Sequence, residues 1–309
     1  MAKGFFTQAA CILLSRPATL DELEALLGDF RIAKRIEGAE NDDMGGPSFT
    51  IEFLPKVNGY LSVDVQNRRW PDHMGDAKSE TTLFGAWSMG HFGPFAFPGG
   101  LERAAQQSWS WPDAKAVPDQ HRAFIRVRSS YIFGARDEDP VLPQGYDPLG
   151  ELVFVTRVSR ALLRHAAALA YFNPNGETLR NEAGVAEALD DERADAPPPL
   201  EIWTNVRLFN PGNGWLLMDT VGNAQLDRPD CEACFPREDY EPGEVDNFLR
   251  NVSLYLIQQG EVIDDGDTVD GPRAERWRAR RLEKSLWTPP RPTLRFFPDG
   301  AQLPVEMAG

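Results

Sequence analysis

Apolar positions in the first part of the chain alternate between the period of a strand and the period of a helix. Residues 7–15, 48–54 and 59–65 show the short apolar or alternating runs that are typical of strands. The segment after the first run has the helical period and begins with Thr19 and Glu22, which are spaced as a capping box. The apolar face of that predicted helix comprises Leu20, Leu23, Leu26, Leu27 and Phe30. The pattern therefore predicts the order strand, helix, strand, strand.

A second set of periodic segments repeats this order. Its predicted elements are a strand over 122–129, helices over 148–170 and 176–190, strands over 200–210 and 215–221, and a helix over 245–259. The segment 211–214, Pro-Gly-Asn-Gly, is a strong hairpin signal, and Gly260 is expected to end the last helix. We therefore predict an α+β fold. Its two strand–helix–strand–strand halves, of ferredoxin-like character, would form antiparallel or mixed sheet layers covered by helices.

Changes in composition divide the chain into three predicted parts. Residues 1–112 form an N-terminal α+β half that ends in a loop rich in aromatic residues, glycine and proline. Residues 113–271 form a second α+β half, and residues 272–309 form a basic, proline-containing tail. The acidic, proline-rich stretch 190–199 is expected to be a solvated linker. The aromatic loop, residues 83–112, is expected to pack over the core, with a functional role as the alternative.

The balance of charges points away from nucleic acids and anionic membranes as partners. Asp and Glu number 47 against 32 Lys and Arg, which gives a net charge of −15, whereas both of those partners require a basic surface. No apolar run of the sequence reaches the roughly 20 residues that span a bilayer, and three cysteines are too few for a disulfide scaffold. We therefore expect a cytoplasmic protein without membrane insertion, whose acidity suits a basic protein partner.

Familiar catalytic and cofactor motifs are missing from the sequence. It contains no nucleophile elbow, phosphate loop, zinc helix or dinucleotide fingerprint, and its four histidines lie far apart. Cys231 and Cys234 have the spacing of a zinc or redox pair, but no second pair accompanies them, so we interpret them as incidental thiols. The stretch 261–270 lacks the calcium-loop pattern and indicates a tight turn at Gly266. We expect no catalytic residues, no metal and no cofactor.

The predicted strand 200–210 has one face that is not purely apolar. Alternation places Asn205 and Arg207 beside two aromatic residues, opposite a core face. Two interpretations of Arg207 stay open, because it could bind a ligand or pair with an acid such as Asp264 or Asp267. The candidate pocket for a small molecule comprises Trp109, Trp111, His121, Asn205 and Arg207.

Several motifs follow one another in an order that is more specific than any single one. They are residues 109–114 (WSWPDA), 121–123 (HRA), 203–209 (WTNVRLF) and 260–269 (GEVIDDGDTV). In this order they resemble the bacterial family called domain of unknown function 4261, over about residues 46–271, and residues 92–104 resemble one branch of it. The family has no agreed activity, so the resemblance implies no catalytic residue. It implies a place beside secreted-toxin and type VI secretion loci.

From these observations we expect a non-catalytic protein that binds another protein. The resemblance implies an immunity or accessory role at a type VI secretion or polymorphic toxin locus. The stretch from Asp227 to Asp270 contains thirteen acidic residues and three arginines. This excess of acids favours the region as a docking surface, and the alternative is an ordinary solvated surface. The predicted partner-binding residues are Asp239, Glu241, Asp264, Asp265 and Asp267.

Two other functions compete with this expectation. One is an enzyme or small-molecule binder with an unfamiliar pocket near the five candidate pocket residues. The other is a structural component of a secretion assembly, which predicts that the aromatic segment 84–97 forms an exposed apolar patch.

Overall fold

The computed structural model describes residues 3–38, 42–133, 135, 140–189 and 197–308. Contacts along the chain divide it into two compact units, Met1–Arg193 and Ala194–Gly309. Most of the predicted linker 190–199 lies outside the described residues. Within those residues, none of the helices combines the length and the apolar character that crossing a membrane requires.

The first unit contains one seven-stranded sheet in which every neighbouring pair is antiparallel. Its strands are β1 (Gln8–Leu14), β2 (Ile32–Ile36), β3 (Ser48–Leu54), β4 (Gly59–Gln66), β5 (Ala123–Ser130), β6 (Ala168–Asn173) and β7 (Thr178–Arg180). Its helices are α1 (Leu20–Leu26), α2 (Thr81–Ser88), α3 (Gly100–Gln106), α4 (Val117–Gln120), α5 (Pro148–Leu163) and α6 (Glu182–Leu189). The strand order is β2-β3-β4-β5-β1-β6-β7, so β1 and β5, which are buried along their whole length, lie in the middle.

Segment 83–112, the predicted aromatic loop, contains most of α2 and all of α3, and its residues Trp87 and Phe92 pack into the core of the first unit, as expected. The Trp70 ring makes edge contacts with Trp87, Phe92, Phe124 and Phe172, with centroids 5.1–6.1 Å apart. Such edge-to-face aromatic contacts add to the free energy gained from burying the rings. Most aromatic side chains of segment 84–97 are therefore core residues, although Phe84 is partly exposed. Phe84 and Met89 are exposed in this segment, at 36% and 45%, so the exposed apolar patch stays a prediction.

The second unit contains a six-stranded mixed sheet. Its strands are β8 (Asn205–Phe209), β9 (Trp215–Val221), β10 (Asp230–Pro236), β11 (Thr268–Asp270), β12 (Arg276–Leu282) and β13 (Thr293–Pro298), and its helices are α7 (Leu200–Trp203) and α8 (Pro242–Gln259). The strand order is β11-β12-β13-β10-β9-β8, and only β10 and β13 run parallel among the described pairs. The buried side of α8, which includes Val245, Leu249 and Leu256, covers one face of this sheet.

The α+β class is confirmed, with one antiparallel and one mixed sheet beside helices; the ferredoxin-like character stays a prediction. The observed units divide after Arg193, whereas composition suggested divisions after residues 112 and 271. Pairing explains the difference in each case. Strand β5, beyond residue 112, lies between β4 and β1, and strands β12 and β13, in the predicted tail, lie between β11 and β10.

Several predicted elements change type in the structure. The expected strand over 200–210 begins only at Asn205, because Leu200–Trp203 is helical. The long helix ends at Leu163, and Ala168–Asn173 is a strand that pairs with β1. The Cys231–Cys234 segment is part of β10. At Ala168–Asn173, pairing with the distant strand β1 overrides the helical pattern. The capping box of Thr19 and Glu22 is confirmed.

Candidate partner-binding groove

Arg207 lies in a buried network of charges and not on a ligand-binding surface. Its Nε and Nη2 atoms donate to the two carboxylate oxygens of Asp219 at 2.9 and 2.6 Å. Arg291 donates to Asp219 Oδ2 at 2.8 Å and to Asp230 Oδ2 at 2.9 Å. Burial alone would raise the pKa of Asp219, but the two guanidinium groups outweigh burial and hold that pKa below its ordinary value. We call these four residues the buried network.

The interpretation of Arg207 as a paired residue is confirmed in kind, but the expected acid was wrong. In the β8–β9 hairpin, Arg207 and Asp219 are directly opposite each other. Asp264 and Asp267 instead belong to the exposed turn before β11. The hairpin register could have identified Asp219 from the sequence, because the turn 211–214 fixes which residues of the two strands face each other.

The basic tail lies on the acidic stretch of its own unit. Four arginines that follow β11 form ion pairs with carboxylates, at N–O distances of 2.7–3.3 Å. The pairs are Arg273–Glu244, Arg276–Asp270, Arg278–Asp299 and Arg281–Glu261. The strands β11, β12 and β13 bring these groups together. Three of the thirteen acidic residues counted between residues 227 and 270, Glu244, Glu261 and Asp270, are therefore neutralised by these arginines.

Three of the predicted partner-binding residues keep their charge exposed. Asp264, Asp265 and Asp267 surround Gly266, whose φ of 89° confirms the predicted turn. Asp267 Oδ2 accepts a hydrogen bond from the Asp264 amide, and Asp265 Oδ1 accepts one from the Arg281 amide, both at 2.8 Å. None of the three carboxylates pairs with an Arg or Lys side chain of the described residues. We call this segment, residues 264–267, the acidic turn.

The other two predicted partner-binding residues, Asp239 and Glu241, lie near the first turn of α8. Both are exposed. The backbone N–H of Glu241 donates to the Glu244 carboxylate at 3.1 Å, a contact that stabilises the start of the helix. Neither residue lines the groove described next.

An open groove of about 620 Å³ lies beside the acidic turn, between α8 and the outermost strand β11. One face of α8 forms its first wall, with residues spaced three and four apart. These residues are Glu244, Asn247, Phe248, Asn251, Val252 and Tyr255. The second wall comprises Val262, Ile263, residues 267–272 and Arg276. We call this feature the α8–β11 groove.

The five candidate pocket residues are divided between the two units. Trp109, Trp111 and His121 belong to the first unit, and Asn205 and Arg207 belong to the second. Trp109 is 66% exposed, and its Nε1 donates to Gln107 Oε1. Trp111 packs against the first core.

His121 has a structural environment. It is buried; its Nε2 accepts from the Trp70 amide at 2.9 Å, and its Nδ1 lies 3.2 Å from the Val117 carbonyl oxygen. Burial, aided by nearby arginines, lowers the pKa of His121. Both ring nitrogens are therefore engaged by the backbone.

The two thiols of the Cys231–Cys234 segment face opposite sides of β10. Cys231 contributes to the core beneath α8, whereas Cys234 packs with Leu217, Phe297 and Met307. Burial raises the pKa of both thiols, that of Cys234 to about 12. Side chains alternate between the two faces of a strand, and these cysteines are an odd number of positions apart. Their sulfur atoms therefore lie on opposite faces and cannot bind the same ion.

The residues that sequence reasoning missed are those of the α8 wall and the outer edge of β11. The helical spacing of Asn247, Asn251 and Tyr255 was visible in the sequence. Which strand ends the sheet was not visible, because strand order depends on pairing between distant segments.

Comparisons with known proteins give one match. No curated protein and no solved structure matched the chain. Residues 219–296 match the family model described as "Domain of unknown function (DUF4261)". The matched segment extends from Asp219 of the buried network through the α8–β11 groove to β13. This match supports the assignment to the domain of unknown function 4261 family that the order of motifs indicated.

Proposed function

We propose that this is a non-catalytic cytoplasmic protein that binds a basic partner protein through the acidic turn and the α8–β11 groove. The observation that carries the proposal is the contrast between neutralised and free carboxylates in one region. Glu244, Glu261 and Asp270 are held by arginines of the same unit. The three carboxylates of the acidic turn are exposed, have no such pair among the described residues and lie beside an open groove.

An immunity or accessory role at a toxin or type VI secretion locus is the biological form of this proposal. A basic toxin domain would be attracted by the net charge of −15, which accelerates encounter and favours the correct partner. Charge alone contributes little to affinity, which depends on buried anchors. Tyr255 and Val262, which are 48% and 50% exposed in the groove, supply apolar surface for such anchors.

A pull-down with a matched pair of charge variants tests the proposal. The tagged protein is used to capture partners from its native cells at low and moderate salt, followed by mass spectrometry. The turn variant carries Asp264→Asn, Asp265→Asn and Asp267→Asn. The control variant carries Asp29→Asn, Asp113→Asn and Glu187→Gln, three exposed acids of the first unit. Both variants change the net charge equally.

We expect the wild type and the control variant to retain one basic protein, and the turn variant to lose it. Higher salt should weaken the retained complex, because the contact is largely electrostatic and exposed. Equal retention by both variants would show that the acidic turn is not the binding surface. Recovery of no basic protein at either salt concentration would count against the whole proposal.

The geometry gives less support to the alternative of an enzyme or small-molecule binder. A catalytic histidine needs a free ring nitrogen within reach of substrate, and both nitrogens of His121 contact the backbone. A ligand-binding arginine needs free donors, and Arg207 is fully buried against Asp219. These contacts favour structural roles for both residues.

A further inference from the structure

Strand β11 ends the second sheet, and in the described part of the chain it pairs with β12 alone. The Asp267 carbonyl accepts from the Ala279 amide, and the Gly271 amide donates to the Glu275 carbonyl, both at 2.7 Å. Backbone groups of an antiparallel strand face its two neighbours alternately. Thr268 and Asp270 therefore direct their N–H and C=O groups towards the outer edge. This edge can accept another strand.

Helix α8 makes that edge a groove with two walls. Asn247, Asn251 and Tyr255 are exposed on the helix face that borders the groove, whereas Phe248 and Val252 are buried there. A strand added to β11 would extend the sheet along this helix face. Its side chains on that face would contact Tyr255 and the two asparagines, which offer an apolar ring and hydrogen-bonding amides.

Charge selects which kind of strand fits. Asp264, Asp265 and Asp267 lie immediately before the edge residue Thr268, whereas Asp270 is already paired with Arg276 of the same unit. Like charges brought together by self-pairing are unfavourable, so these carboxylates oppose edge-to-edge association of two copies. The same carboxylates favour an incoming strand that carries Lys or Arg.

We propose that an extended basic segment of the partner protein adds as a seventh strand to the outer edge of β11, alongside α8. This inference rests on the proposed function and specifies the partner's chemistry and its mode of binding. The partner's backbone bonds to Thr268 and Asp270. Its basic side chains contact the acidic turn, and its apolar side chains contact Tyr255 and Val262.

A synthetic probe tests this mode directly. The probe is a fluorescent seven-residue peptide in which Lys and Val alternate, and its matched counterpart has Glu in place of Lys. Binding is measured by fluorescence anisotropy at low salt, and amide hydrogen exchange is measured by NMR with and without the Lys peptide. Two variants probe the edge. Thr268→Pro removes an outward N–H that an edge strand can spare, and Thr268→Val keeps it.

We expect the Lys peptide to bind and the Glu peptide not to bind. Amide exchange of Thr268 and Asp270 should slow at least about tenfold in the complex, while the amides of β2, an edge strand of the other sheet, should be unaffected. Thr268→Pro should weaken binding at least about tenfold, and Thr268→Val should bind like the wild type. If the proline variant does not fold, amide protection in the wild type decides the question.

Other outcomes overturn the inference without ambiguity. Salt-dependent binding of the Lys peptide without protection of Thr268 and Asp270 would refute strand addition and leave the proposed function standing. Equal binding of the Lys and Glu peptides would refute the basic class of partner. Failure of the Lys peptide to bind at about 1 mM would refute the strand-addition mode, while the pull-down with the turn variant separately decides the proposed function.

Discussion

Two groups of carboxylates in the second unit differ in what surrounds them. Those of the buried network, Asp219 and Asp230, lie on neighbouring strands and are held by Arg207 and Arg291. Those of the acidic turn are exposed and have no cationic partner among the described side chains. Removing a carboxylate from water is costly unless a cation and hydrogen bonds replace the water. The buried carboxylates therefore have a structural role, whereas the exposed carboxylates of the acidic turn are available for binding.

The first unit repeats the buried arrangement on a different sheet. Asp64 on β4 accepts hydrogen bonds from Arg126 and Arg128 on β5, each with a 2.7 Å contact. His91 Nδ1 lies 2.9 Å from Arg128 Nη1. Burial would raise the pKa of Asp64, but the two arginines outweigh burial and lower it. A carboxylate flanked by two guanidinium groups is thus a structural feature of both sheets, and neither cluster is evidence of catalysis.

The largest expected effect follows from breaking the buried network. Asp219→Asn removes the negative charge between two buried guanidinium groups and should reduce the free energy of unfolding by about 3–5 kcal/mol. Chemical denaturation measures the change. The matched control is Asp299→Asn, whose ion pair with Arg278 is partly exposed and should contribute little. A loss below about 1 kcal/mol for Asp219→Asn would contradict the structural role of the network.

An intermediate effect concerns pH and the first unit. Burial, reinforced by Arg128 and Arg126, lowers the pKa of His91 to about 4, whereas an unfolded histidine titrates near about 6.5. Between these values the unfolded chain binds a proton that the folded His91 does not bind. Stability should therefore fall as the pH is lowered from about 6.5 towards about 4.

The variant His91→Gln isolates this contribution, because carboxylates that titrate in the same range affect both proteins. The free energy of unfolding is measured for both proteins at pH 7 and pH 5. Between these values the wild type should lose more stability than the variant. An identical difference between the two proteins at the two pH values would show that His91 titrates normally in the folded protein.

The smallest expected effect on stability comes from the acidic turn. The variant with Asp264→Asn, Asp265→Asn and Asp267→Asn retains side-chain oxygens that accept the hydrogen bonds of the turn. Its denaturation midpoint should match that of the wild type, because exposed charges without ion pairs contribute little to folding. A marked loss of stability would show that these three carboxylates stabilise the fold, as those of the buried network do, and would contradict their role as free binding groups.

Local patterns were sufficient for several elements of both units. The capping box at Thr19, the hairpin turn 211–214, the end of α8 at Gly260 and the turn at Gly266 follow from residues close in sequence. These features depend on backbone preferences and short-range hydrogen bonds, so the sequence alone carries the information. The α+β class follows for the same reason, since it depends on the alternation of periods and not on how strands pair.

Tertiary structure decided the features on which the proposed function depends. The sequence determined that the chain is strongly acidic and that its acids concentrate before β11. It did not determine which acids Arg273, Arg281 and Arg291 neutralise, or that β11 ends its sheet. These ion pairs and the strand order depend on contacts between residues far apart in the chain. A local sequence pattern does not record which distant segments come into contact. Within the described part of the chain, the exposure of the acidic turn and the open outer edge of β11 are therefore properties of the tertiary structure.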